Sequence, residues 1–252
     1  MPRRAREKSR TNIYHVMLRG INRQTIFEDD EDMSVFVKEL KRCKQKSDFR
    51  LYAFCLMPNH VHLLMETSRE PLEIIFKRLG SRYAGWYNRK YERAGHLFQD
   101  RFRSEKVETD LYFRTVLRYI LQNPMKAGLE KLPGTYRWSS YRAYAKGAGT
   151  LTDTKYAIEM FGQKDILLDY LGGINEDKVM DEEDFIPRPS ENRAKEIMEQ
   201  VTRCSSVPAF QNLERDLQAE FIRELHDRHL SIRQISRLTG KTCRTVTSIM
   251  GM

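Results

Sequence analysis

The 252-residue chain carries 44 Lys and Arg against 35 Asp and Glu with 40% hydrophobic residues, the composition of a folded soluble protein with room for one substantial domain and a smaller one. No run approaches the roughly 20 consecutive apolar residues that a membrane span needs, and Cys43, Cys55, Cys204 and Cys243 form no C-x-x-C pair, which argues against a disulfide framework or zinc knuckle and for a reducing cytoplasm. The charge is uneven: residues 1–150 hold 30 basic and 17 acidic side chains and the remainder is net acidic, so the N-terminal part has the electrostatic footprint of a protein that meets polyphosphate.

The β-branched and aromatic residues of NIYHVMLR, 12–19, predict a strand. Residues 28–47 open acidic, place Val35, Phe36 and Leu40 at helical spacing and end basic, as a helix dipole favours. Residues 49–57 and 60–67 read as two strands joined by a tight turn at Pro58 and Asn59. The stretch 71–91 opens with Pro71 and carries Leu72, Ile75, Phe76, Leu79, Tyr83 and Trp86 on one face, a helix. A shorter strand is expected over 97–107, then a helix capped by Thr109 or Asp110 and stopped by Pro124. This order gives an α+β fold over residues 1–150, an antiparallel sheet with helices on one face.

Residues 151–195 read as an acidic connecting region in which PRPSEN marks a linker. Residues 196–252 read as a small all-α domain. Its helices are expected at about 212–227, at 231–239, and from Thr242 onward after a turn at Gly240, with Ile232, Ile235, Leu238, Val246 and Ile249 packing the last two together. From Arg228 onward there are five basic residues and no acidic one. Lys241, Arg244, Thr247 and Ser248 fall on exposed positions of a recognition helix, and the segment resembles the DNA-binding domain of the replication initiator DnaA.

Inside the strand at 60–67, His60 and His62 project to one side while Val61 and Leu63 project to the other. A bare His-x-His is more often two hydrogen-bonded histidines than a metal site. A zinc hydrolase needs three or four ligands, and His15, His96, His226 and His229 stand at no ligand spacing with the pair, so two histidines completed by one oxygen ligand are more economical. Along the helix from 110, Phe113, Val116, Leu117, Ile120 and Leu121 form the buried stripe, and Tyr112, Tyr119 and Asn123 line one flank of it. Tyr119 and Asn123 are neighbours at i and i+4. If that flank faces the histidines, Asn123 offers an amide oxygen to a cation with the Tyr119 hydroxyl nearby; in the ordinary alternative Tyr119 is a core-edge tyrosine and Asn123 a C-cap.

Four blocks in order, PNHVHLLM, GHLFQDRFRS, YILQNPMKAGL and WSSY, resemble the single-tyrosine HUH transposases, the REP-associated tyrosine transposases in particular. The resemblance implies the sheet-based HUH (ferredoxin-like) fold and a metal-dependent single-strand DNA endonuclease and strand transferase using Mg²⁺ (or Mn²⁺). It implies single-stranded or hairpin DNA as partner, no membrane, no small-molecule substrate, a monomer or homodimer, and a cytoplasmic, nucleoid-associated location. Carried over by position, His60 and His62 match the HUH histidines, Tyr119 the nucleophile and Asn123 the third polar ligand, where part of the family has glutamine. Arg101, Arg103, Lys106, Arg114 and Arg118 are candidates for phosphate contacts, with Phe98 and Phe102 either stacking on bases or packing in the core. The competing reading is a domesticated relative that binds DNA sequence-specifically without cleaving it.

Overall fold

Strands β1 (Ile13–Arg19), β2 (Arg50–Met57), β3 (His60–Glu66) and β4 (Arg103–Lys106) form one antiparallel sheet in the order β2-β3-β1-β4. The computed structural model describes residues 8–99, 101–147, 151–173, 179, 189 and 191–250. β2 and β3 make a hairpin around Pro58 and Asn59, and the β1–β3 register runs from Ile13 opposite Glu66 to Arg19 opposite His60. β4 adds His15 opposite Glu105 and Met17 opposite Arg103.

Nearly every residue of β1, β2 and β3 is buried, so both faces of the sheet must be covered. On one face Val16, Leu18, Val61, Leu63 and Met65 pack against α1 (Asp30–Ser47) and α2 (Leu72–Lys90), through Phe36, Leu40, Ile75, Leu79 and Tyr83. On the other, Ile13, Cys55, Met57 and Leu64 pack against Phe113, Val116, Leu117 and Ile120 of α3 (Asp110–Lys126). The α+β class and antiparallel sheet match the expectation; its placement of helices on one face is corrected to both. The reason lies in the strands, which alternate apolar residues with other apolar residues instead of with solvent-facing polar ones.

The Thr109 hydroxyl caps α3, accepting from the Tyr112 N–H at 3.2 Å. Pro124 does not stop the helix. Its missing N–H forfeits only one bond close to the C-terminal end, and Ala127 N–H still reaches the Asn123 carbonyl at 3.0 Å. Asn123 is therefore an interior helix residue and not a cap.

Within the stretch expected to connect two domains, α5 (Lys155–Phe161) and α6 (Lys164–Gly172), with α4 (Tyr141–Lys146) before them, bury Tyr144, Ala157, Leu167 and Leu171 in the α3-side core. Most of 174–190, including much of PRPSEN, lies outside the described residues. The chain divides into two compact units, residues 1–22 with 26–185, and residues 186–252 with 23–25. The second holds α7 (Glu191–Thr202), α8 (Val207–Gln211), α9 (Arg215–Asp227), α10 (Ile232–Thr239) and α11 (Cys243–Ile249) around Ala194, Phe210, Ile222, Leu225, Ile235 and Val246. No helix among the described residues is long and apolar enough to cross a membrane.

Between α10 and α11, Gly240 takes φ +70° and Thr242 caps α11. A Cβ on Gly240 would collide with Gln211 Nε2 and Val207 Cγ1, and the left-handed backbone alone costs a non-glycine residue about 1–2 kcal/mol. Gly240→Ala is thus expected to raise amide hydrogen exchange across α10 and α11 while leaving β1–β3 protected; unchanged exchange in α10 and α11 would contradict this reading of the turn.

Candidate metal and nucleophile site

The antiparallel register puts His15, Met17 and Arg19 of β1 directly opposite Leu64, His62 and His60 of β3, and paired residues share a sheet face. That face lies under α3. His60 is 3% exposed and His62 fully buried, with ring centroids 4.7 Å apart and planes perpendicular. The His60 Nδ1–H donates to Asn59 Oδ1 at 2.6 Å; because an amide oxygen only accepts, the hydrogen sits on Nδ1 and Nε2 keeps its lone pair. His62 Nδ1 lies 3.0 Å from His15 Nε2, while His62 Nε2 is buried with no hydrogen-bond partner among the described residues.

Burial lowers the pKa of His60 to about 3, with the Arg19 charge adding to the effect, and pushes His62 well below the usual histidine range, helped by the neighbouring His60, His15 and Arg19. Both imidazoles are neutral at pH 7, so neither must lose a proton before its lone pair can bind a cation.

α3 brings Tyr119 to this pair. Its ring, 6% exposed, meets His62 edge-on at 5.6 Å and His15 at 6.1 Å, and Lys126 Nζ lies 5.2 Å from its centroid. Asn123, one turn along the same flank, is also buried. Among the described residues no three His, Cys, Asp or Glu side chains cluster as a metal site. The residues nevertheless fit a divalent ion: two neutral imidazoles, one with an orphaned Nε2 in the site, and an amide on the facing helix. Imidazole donors suit Mn²⁺ better than Mg²⁺, which prefers all-oxygen sets.

Of the basic candidates, Arg101, Arg103 and Lys106 are exposed. Arg103 shares the histidine face through its pairing with Met17, whereas Lys106 pairs with Tyr14 on the opposite face. Arg114 donates to the Met160 carbonyl at 2.7 Å and stacks on Phe161, and Arg118 stacks on Tyr170 at 4.1 Å, so both clamp α5 and α6 to α3. Arg114→Ala is expected to lower stability by about 1–3 kcal/mol through the lost charged hydrogen bond, read by urea denaturation; an unchanged midpoint would leave Arg114 a surface cation. Phe102 is buried against Phe76, and half-buried Phe98 packs beside Tyr83 at the edge of the core. Arg244 is exposed on α11, Lys241 precedes that helix, and the Thr247 hydroxyl donates back to the Cys243 carbonyl at 2.8 Å.

Sequence reasoning missed three residues of the site face: His15, Arg19 and Glu105. The alternation of β1 puts His15, Met17 and Arg19 on one side, but only the register with β3 and β4 reveals what that side meets.

Residues 8–123 match the family model described as "Transposase IS200 like". No curated protein matches the chain. Among solved structures the chain is similar to a REP-associated tyrosine transposase bound to a REP hairpin, at 17% identity and TM-score 0.48, over 62% of this chain and 96% of that one. It is also similar to a protein described as a candidate transposase from Deinococcus radiodurans R1, at 18% identity and TM-score 0.35, over 47% of this chain and 95% of that one. The matched interval, a little under half of the chain, runs from the residues before β1 to Asn123 in α3 and takes in His60, His62 and Tyr119, so the chain is similar to the IS200-like transposases over this part.

Proposed function

We propose that the chain is a DNA transposase that cleaves and rejoins single-stranded or hairpin DNA through a covalent 5'-phosphotyrosine on Tyr119, with His60, His62 and Asn123 holding a divalent cation. The observation that carries this reading is the orphaned, buried Nε2 of a neutral His62 beside His60, with the Tyr119 ring 5.6 Å away. A bound cation supplies Lewis-acid stabilisation of the phosphate oxygens and orients the scissile group. The Tyr119 oxygen attacks phosphorus and loses its proton, the phosphorus–O3' bond breaks, and a 3'-hydroxyl leaves. The phosphodiester energy stays in the tyrosyl link, so rejoining needs no other energy source. Lys126, over the Tyr119 ring, favours the negative charge that develops on the phenol oxygen.

Exposed Arg101 and Arg103, with the positive charge of residues 1–150, suit a DNA backbone, and α10–α11 with Lys241, Arg244 and Thr247 would add duplex or hairpin affinity as a separate unit. The test is incubation of the purified protein with end-labelled hairpin DNA from the flanks of its own gene, with Mg²⁺ or Mn²⁺, followed by a denaturing protein gel. The expected result is a metal-dependent, SDS-resistant adduct. Hairpin binding without any adduct under both metals would favour the non-cleaving DNA-binding protein.

A further inference from the structure

We infer that His15 and Glu105 are positioning residues that hold His62 in the one tautomer able to ligate a cation; the inference rests on the metal-dependent reading of the site given above. A neutral imidazole has one N–H and one lone pair. In the 3.0 Å contact between His15 Nε2 and His62 Nδ1, one nitrogen donates and the other accepts, which leaves two arrangements. If His15 Nε2–H donates, His62 carries its hydrogen on Nε2 and presents an N–H to the site, where a cation cannot bind. If His62 Nδ1–H donates, its Nε2 holds the lone pair, and His15 must then carry a hydrogen on Nδ1.

That second arrangement needs an acceptor for His15 Nδ1, and the residue paired with His15 on β4 carries one. His15 Nδ1 and Glu105 Oε2 are both buried and both lack a hydrogen-bond partner among the described residues. The two residues are directly paired across β1 and β4, where side chains on one face have Cβ atoms about 4.5–5.5 Å apart, so a rotamer adjustment joins donor to acceptor. Burial and, after it, the nearby Glu105 carboxylate raise the pKa of the Tyr112 phenol on α3, which puts Glu105 on the α3 side of the sheet. A carboxylate beside His15 Nδ1 favours the hydrogen there, which makes His15 Nε2 an acceptor and fixes the hydrogen of His62 on Nδ1. The line Glu105, His15, His62 thus sets ligand orientation and tautomer from outside the site, as outer-shell carboxylate–histidine pairs do for metal-bound imidazoles.

The test uses the full-length protein and two readouts. Nitrogen-15 NMR of the metal-free wild type, with the His62 ring signals identified by their loss in His62→Ala, is expected to show His62 protonated on Nδ1. His15→Phe and Glu105→Leu are each expected to lower that fraction. Mn²⁺ affinity, followed by electron paramagnetic resonance, is expected to fall roughly 10–100-fold in His15→Phe and to return in His15→Gln, whose amide oxygen replaces the accepting Nε2. A wild-type His62 protonated on Nε2, or equal Mn²⁺ loss in folded His15→Phe and His15→Gln, overturns the inference; a Glu105→Leu spectrum identical to wild type removes Glu105 from it. A wild type with the expected tautomer that binds no Mn²⁺ overturns the metal-dependent reading instead, so the two failures are separable.

Discussion

Tyr119→Phe is expected to lower DNA cleavage roughly 10⁴- to 10⁶-fold, the scale on which losing a covalent nucleophile acts, and to abolish the protein–DNA adduct. The substitution removes one oxygen and leaves the ring that meets His62 and His15 edge-on and lies under Lys126. Packing, metal affinity and hairpin binding should therefore stay near wild type, and the loss isolates the hydroxyl. Single-turnover cleavage of labelled hairpin DNA measures it. Residual adduct in Tyr119→Phe would transfer the nucleophile's role to another residue, with Tyr112 on the same helix flank the first to examine.

His62→Ala is expected to weaken Mn²⁺ binding by roughly 100-fold or more, beyond the 10–100-fold typical of an outer-shell partner, and to slow cleavage about 10³-fold or more through lost Lewis-acid stabilisation worth several kcal/mol. It also leaves the buried His15 Nε2 without its partner, at a stability cost of about 1–3 kcal/mol, which denaturation at pH 7 will show. Hairpin affinity should hold within a few-fold, since Arg101 and Arg103 stay exposed without the imidazole and DNA affinity is dominated by phosphate contacts. Calorimetric Mn²⁺ titration, cleavage and a gel-shift assay on one preparation separate the three effects. Parallel loss of hairpin binding and cleavage would refute the division between metal ligands and DNA contacts.

Strands β1 to β3 and helices α1 to α3 were legible because each carries its own period: alternation through His60, Val61 and His62, and the 3.6-residue stripe through Phe113, Val116, Leu117 and Ile120. The same periods placed Tyr119 and Asn123 on one flank of α3, and the Tyr119 ring on that flank meets His62 and His15 edge-on. What the periods do not encode is long-range pairing. His15 stands at no ligand spacing with the histidine pair in sequence; it contacts His62 only because β1 lies beside β3, 47 residues away in sequence. Glu105 is likewise an ordinary strand glutamate until β4 sets it opposite His15. Arg114 and Arg118 read as phosphate binders from charge alone, yet Met160, Phe161 and Tyr170 occupy them, and those partners belong to a stretch whose acidic composition concealed two packed helices. Pro124 misled for a local reason, since a proline so near a helix end costs too little to end it.

The most direct test of the central claim is mass spectrometry of the protein–DNA adduct after nuclease trimming and trypsin digestion. Cleavage after Arg118 and Lys126 releases Tyr119 in its own peptide, while Tyr112 falls in the peptide ending at Arg114. The account predicts a 5'-phosphonucleotide on Tyr119, formed only with divalent metal present. A nucleotide on Tyr112 or any other residue, or formation of the adduct at full yield in EDTA, would contradict it.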